Sequence, residues 1–368
     1  MKNVEIISMQ NVDNYGSVLQ AYALKKIIEE LGCKVSFNDI EKGKNRVLNQ
    51  QCAQGDIARN SPRKVEGFWP KRQLLRVMGK IYYMRMAKIF KKFREEYGLN
   101  SVSASETFDV CVIGSDEVFN CMQNSSWGFS TQLFGDVKNA NKVITYAACC
   151  GFTKSDMLSE ELKVAIQSAM NHLSGISVRD TNTARFVNTL SGKSYNFNLD
   201  PVAVGDFTRE LQDIDISSKL SGKYCIVYSY NRRIDRPNEI QAIIQYCKKH
   251  NLKIIAPYGR QDWIKESALL TPFELLKAFQ NAECIITDTF HGTLFGAKFG
   301  KHMAILVRDS NRNKLTDLVK RLHLEKHLVE NVNQLDDILS MDLDEANIQK
   351  VFKDERIKSI EYLKKNLQ

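Results

Sequence analysis

The stretch from Cys284 to Gly300 reads C-I-I-T-D-T-F-H-G-T-L-F-G-A-K-F-G. Cys284-Ile285-Ile286-Thr287 is a short apolar run, as expected of a buried strand, and Asp288-Thr289 supplies the polar break and capping oxygens that start a helix. His291 therefore falls at a strand-to-helix corner. The N–H groups at a helix start carry the positive end of the helix dipole, so such a corner suits an anion. Gly292, Gly296 and Gly300 recur every four residues and leave one helix face without bulk, which predicts that this face lies close to the sheet. Taken alone, His291 reads as a satisfied buried histidine and the glycines as packing. The rest of the chain decides whether the corner does more.

Working outward, strand and helix alternate on both sides. Strand Tyr224 to Ser229, helix Arg236 to His250, strand Lys253 to Ala256 and helix Pro272 to Asn281 precede the corner. After it, strand Ala304 to Val307 delivers Arg308-Asp309 ahead of helix Thr316 to Leu322. In the first half, strand Val4 to Ser8 passes through a polar turn ending in Asn14-Tyr15-Gly16-Ser17 into helix Ser17 to Leu31, and strand Cys33 to Ile40 follows. Asp109 to Gly114 is a buried strand ending in Ser115-Asp116, Lys142 to Ala148 is another, and Ser159 to Leu173 is a helix. Gly175 to Val178 then delivers Arg179-Asp180. Polar groups after a strand's carboxyl end stand where open α/β sheets place ligands. No G-x-G-x-x-G or Walker pattern accompanies them, so ordinary dinucleotide or ATP binding has no support.

A polar connection from Gly205 to Gly222 divides the chain. The expected fold is α/β, with two doubly wound, Rossmann-like domains facing a cleft. Residues 1–204 form the first, with a basic helical insertion at 41–98; residues 205–340 form the second; a helix at 341–368 packs back across both.

Length and composition agree with this division. The chain has 368 residues, 43% hydrophobic and 26% charged, too long for one ordinary core and typical of a globular protein. No apolar run approaches the roughly 18 residues of a membrane span, and residues 1–8 lead into a polar turn without the h-region of a signal peptide. Nine cysteines include no C-x-x-C pair, which speaks for a reducing, cytoplasmic setting and against a structural metal. The net charge of +9 is concentrated: residues 41–98 hold fifteen Lys/Arg against five acids. Within 70–97 these bases alternate with a helical apolar pattern, which suits docking on the inner face of an anionic membrane as well as ordinary packing on a domain. No recognition helix or aromatic RNA-binding signature accompanies the charge, so nucleic acid is not expected.

Six fragments together resemble the polysaccharide pyruvyl transferase family. They are N-Y-G-S-V-L-Q-A-Y-A-L at Asn14 to Leu24, V-I-G-S-D-E-V-F-N at Val112 to Asn120, I-T-Y-A-A at Ile144 to Ala148, S-V-R-D at Ser177 to Asp180, L-D-P at Leu199 to Pro201, and T-D-T-F-H-G at Thr287 to Gly292. They occur in family order and cover most of the chain. The resemblance implies a GT-B-like fold and transfer of a pyruvyl group from phosphoenolpyruvate (PEP) to a sugar, giving a cyclic ketal on a cell-wall or surface glycan. It matches the family's catalytic, PEP-binding histidine to His291 and the arginine of its S-V-R motif to Arg179. One position departs: the family commonly looks like R-L-H at the histidine, whereas this chain has Thr289-Phe290-His291 and lacks that arginine.

PEP carries a carboxylate and a phosphate, so its site needs cations, backbone donors and a group able to protonate the C3 methylene. Imidazole ordinarily titrates near neutral pH, which makes His291 the candidate general acid. Arg179 is the first candidate for gripping donor anions, and Arg308 the one to replace the missing arginine. Thr289, Phe290 and Gly292, which flank the histidine, are expected to contact the substrate. A carboxylate must orient or deprotonate the acceptor hydroxyl: Asp116 is best placed, and Asp288 reads equally as catalytic or as a helix cap. Asn14, Tyr15, Gly16, Ser17 and Ser115 are expected to line the acceptor side. The expected partners are PEP as donor substrate and a sugar acceptor, lipid-linked if the basic segment meets a membrane; no cofactor or metal is expected. The competing readings are a nucleotide-sugar glycosyltransferase of the same fold and a non-catalytic binding protein of a glycan-assembly complex.

Overall fold

A computed structural model describes residues 1–43, 69–102, 106–123, 125–308 and 312–368, without the side chains of 69–72, 74, 75, 313 and 314. Residues 44–68 of the expected insertion, and Asp309, lie outside the described residues. The chain divides into two compact units, one of Met1–Arg59, Arg94–Asp206 and Phe352–Gln368, the other of Asn60–Phe93 and Phe207–Val351. The long helix Trp69–Glu96 thus belongs mainly to the second unit, and the end of the last helix, Glu345–Leu367, to the first.

In the first unit the strands are β1 Asn3–Ile7, β2 Lys34–Asn38, β3 Phe108–Asp116, β4 Ala140–Ala148, β5 Leu173–Gly175, β6 Ser177–Val178 and β7 Asn196–Phe197. They form a parallel sheet ordered β2-β1-β3-β4-β6-β7, with β5 also on β4. The second unit holds β8 Tyr224–Tyr228, β9 Lys253–Ile255, β10 Cys284–Thr287 and β11 Met303–Ile305, parallel and ordered β11-β10-β8-β9. Successive strand residues point to opposite faces. Since β8 and β10 are buried at every position, and β3 and β4 at most, both faces of each sheet are covered, as doubly wound folds require.

Both orders reverse direction once, between β1 and β3 and between β8 and β10. Beyond the carboxyl ends of such neighbours the connections leave to opposite sides and open a crevice. The strand register sets what stands there. In the first unit Asp116 pairs with Ala148 and Ala148 with Val178, so Asp116 and Arg179 leave the sheet at one level. In the second, Tyr228 pairs with Thr287, so Ser229 and Asp288 leave it side by side. Among the described residues no helix is long and apolar enough to cross a membrane.

Candidate functional site

The corner of the first unit is a chain of polar contacts among buried groups. Asn14 caps helix Tyr15–Glu30 by accepting from Gly16 N–H, Tyr15 is core, and the Ser17 hydroxyl donates to Asp116 Oδ2 at 2.9 Å. Gln20 receives the Ser115 N–H on its Oε1 at 3.1 Å. The chain turns sharply here. Gly114 has φ +127°, and a side chain there would overlap the Tyr146 carbonyl of β4; Asp116 stands at φ +69°, a region carboxamide and carboxylate residues tolerate better than others.

Arg179 is buried beside Asp200, with Nη1 donating to Asp200 Oδ2 at 2.8 Å and Nη2 lying 3.9 Å from Asp116 Oδ1. Asp200 also accepts from Ser115 Oγ at 3.2 Å and caps the turn Pro201–Val204 through Val202 N–H. Burial by itself would lower the Arg179 guanidinium, but Cys149, Asp200, Asp116 and Asp180 outweigh it and hold the group above the ordinary arginine value. Asp180 is the N-cap of helix Thr181–Ser191. The structure therefore brings Ser17, Ser115, Asp116 and Arg179 together and adds Asp200, a residue of the L-D-P fragment to which sequence reasoning gave no role.

The corner of the second unit is built on the helix Phe290–Phe299. Its N-cap is Thr289, whose hydroxyl accepts from Gly292 N–H at 2.9 Å; Asp288 has another task. The glycine face lies on the sheet as the spacing predicts. A Cβ on Gly292 would stand 2.7 Å from both Thr289 Oγ1 and Tyr228 Cδ1, and one on Gly300 would overlap Ile285 of β10. Gly292→Ala is expected to cost about 1–3 kcal/mol through this overpacking, measurable as a lower urea midpoint.

His291, 9% exposed, sits in the first turn of that helix with its ring edge-on to Phe290 at 5.3 Å and tilted against Phe295 at 6.0 Å. Three residues before it, the fully buried Asp288 holds two arginines on Oδ2: Arg308 Nε at 3.2 Å and Arg233 Nε at 3.1 Å. Arg308 is clamped further, its Nη1 and Nη2 each donating to Glu239 at 2.7 Å in a fork that matches the carboxylate. Burial pulls the Arg308 guanidinium down, yet Glu239 and Asp288 together raise it. Arg236 adds a third guanidinium 3.4 Å from Glu239, so three arginines face two carboxylates beside a helix N-terminus. The Ser229 hydroxyl, fully buried just past β8, has no hydrogen-bond partner among the described residues.

Sequence reasoning missed Arg233 and Glu239. A signal was present: Asn231-Arg232-Arg233 follows directly on a buried strand, the position where ligands gather in open sheets. Among the described residues no group of three or more His, Cys, Asp or Glu is placed to hold a metal ion.

Parallel α/β units with polar, arginine-bearing corners at their switch points define a Rossmann-like protein of two units. The family model described as polysaccharide pyruvyl transferase matches residues 14–310, and the chain belongs to that family. Membership makes it a transferase of polysaccharide biosynthesis. Among solved structures it is similar to Arabidopsis thaliana UGT89C1 complexed with quercetin, at 12% identity, with 98% of each chain covered and a TM-score of 0.49. It is also similar to the UDP-GlcNAc 2-epimerase from Methanocaldococcus jannaschii, at 11% identity over 95% of this chain and 98% of that one, with a TM-score of 0.48. A search of curated proteins finds no match.

Proposed function

We propose that this chain transfers the enolpyruvyl group of PEP to a sugar of a surface or cell-wall glycan, or of its lipid-linked precursor, forming a pyruvate ketal and releasing phosphate. The observation that carries the reading is the second corner: an imidazole at a helix start, three residues from a carboxylate that orients two arginines, in a chain of this family. His291 protonates C3 of PEP, which leaves electron deficiency at C2. One acceptor hydroxyl adds at C2, the C2–O bond to phosphate breaks, and a second hydroxyl closes the ketal. Of the two hydroxyl protons, one balances that delivered to C3 and the other leaves with phosphate. Asp116, held by Ser17 and near Arg179, is the carboxylate assigned to the acceptor hydroxyl.

The arginine absent at position 289 has a counterpart from another strand. Arg308 is clamped between Asp288 and Glu239 with 10% of its side chain exposed, whereas Arg233, also on Asp288, keeps 19% exposed. Arg233 is therefore assigned the grip on a donor anion, with Arg308 and Glu239 fixing Asp288 in place. Removing one hydrogen-bonded charge from an anion site costs about 1.5–3 kcal/mol, so Arg233→Ala should raise KM for PEP roughly 10- to 100-fold, with Arg233→Lys recovering part of it.

The test incubates the protein with PEP and candidate glycan acceptors, follows phosphate release, and searches the products by mass spectrometry for a pyruvate ketal. Release of a nucleoside diphosphate from a sugar nucleotide, with none of phosphate from PEP, would establish glycosyl transfer instead.

A further inference from the structure

The helix Trp69–Glu96 has two apolar faces, and among the described residues only one is packed. Tyr82, Met86, Phe90 and Phe93 are buried, and this face is anchored within its unit by the Tyr82 hydroxyl on the Pro257 carbonyl at 2.9 Å and by Phe93 edge-on to Phe273. At about 100° per residue, Val77, Ile81 and Met84 lie within about 60° of one another on the opposite side. They are exposed, at 52%, 46% and 63%, with Met78 beside them at 50%. Of the twelve exposed large hydrophobic side chains described, five fall between Val77 and Met84; the rest are scattered, so this is a patch and not the usual isolated exposure.

The charge around the patch is of one sign. From Trp69 to Arg94 the sequence has nine Lys/Arg and no acid. Lys80 and Arg85 flank the apolar stripe, and Lys88, Lys91 and Lys92 continue its line toward the helix end, all exposed.

We propose that this face docks the protein on an anionic lipid surface. Apolar side chains would enter the boundary between headgroups and acyl chains while the bases meet the lipid phosphates, the division of labour of an interfacial helix. Each alternative occupant conflicts with one half of the face. A second copy meeting it through a two-fold axis would bring two such basic stripes together, and a nucleic-acid backbone has no use for Val77, Ile81 and Met84. The inference does not depend on the donor chemistry above.

The experiment is co-sedimentation of the full chain with phosphatidylcholine vesicles, with and without phosphatidylglycerol, at low and at high salt. Two variants accompany it: Ile81→Glu/Met84→Glu and Lys80→Ala/Arg85→Ala/Lys88→Ala. All five positions are exposed, and circular dichroism checks that the fold is kept. The wild type is expected to partition at least tenfold more strongly onto the anionic vesicles, less so at high salt, and each variant to lose at least tenfold. The proposal fails if the wild type stays in the supernatant, or if both variants sediment like it. It also fails if light scattering shows a dimer that Ile81→Glu/Met84→Glu dissociates, or if the chain binds an oligonucleotide and not the vesicles.

Discussion

His291→Ala should lower turnover with PEP by about a hundredfold or more, the usual worth of a positioned general acid. The ring contacts Phe290 and Phe295 with 9% exposure, so its removal leaves a small gap that costs some stability as well. His291→Gln separates the two effects, because glutamine fills most of the volume without serving as a proton donor of comparable strength. The expected pattern is near-normal unfolding for His291→Gln and phosphate release depressed in both variants. Wild-type phosphate release by either folded variant would remove His291 from the mechanism.

In the first unit the largest effect is expected at Asp200. Its carboxylate, fully buried, accepts from Arg179, Ser115 and Val202, and Arg179 is itself 3% exposed. Asp200→Ala removes the carboxylate that accepts from Arg179 Nη1 and leaves the guanidinium in a dry environment, with Asp116 at 3.9 Å. Breaking a buried pair from one side costs about 3–5 kcal/mol, which for a unit of this size lowers the melting temperature on the order of 10 °C. Calorimetry of Asp200→Ala, Arg179→Ala and the double variant checks it: the double variant should lose much less than the sum of the two. Additive losses would show that the pair is not coupled.

The second corner joins residues remote in sequence. Thr289 occupies the place of an arginine in the family pattern, and its hydroxyl is engaged by the helix cap. Positive charge instead arrives on Asp288 from Arg233, after β8, and Arg308, after β11. Asp288, which reads in sequence equally as a cap or a catalytic group, accepts from arginines while Thr289 caps the helix.

Much of the fold is legible in one dimension. Strands β1, β3, β8 and β10 announce themselves as apolar runs closed by Gly, Ser, Asp or Thr, and the helices after β1 and β10 by their apolar spacing, the latter also by its capping oxygens. The glycine face against β10 follows from the four-residue interval alone. Short elements were not legible: β7 has two residues, and helix Thr181–Ser191 begins behind a corner that reads as a loop, although Asp180 is a good N-cap. 

Period, polarity and the six ordered fragments by themselves determine the α/β class, the family and the position of His291 at a strand-to-helix corner. They carry no information on strand order. Only the tertiary structure decides that Ser17 meets Asp116 across 99 positions, Arg179 meets Asp200 across 21, and Arg308 meets Glu239 across 69. The reason is that helix and strand periods follow from contacts between near neighbours in the chain. Which buried charges face one another depends on which strands lie side by side, and on the one point in each sheet where their order reverses.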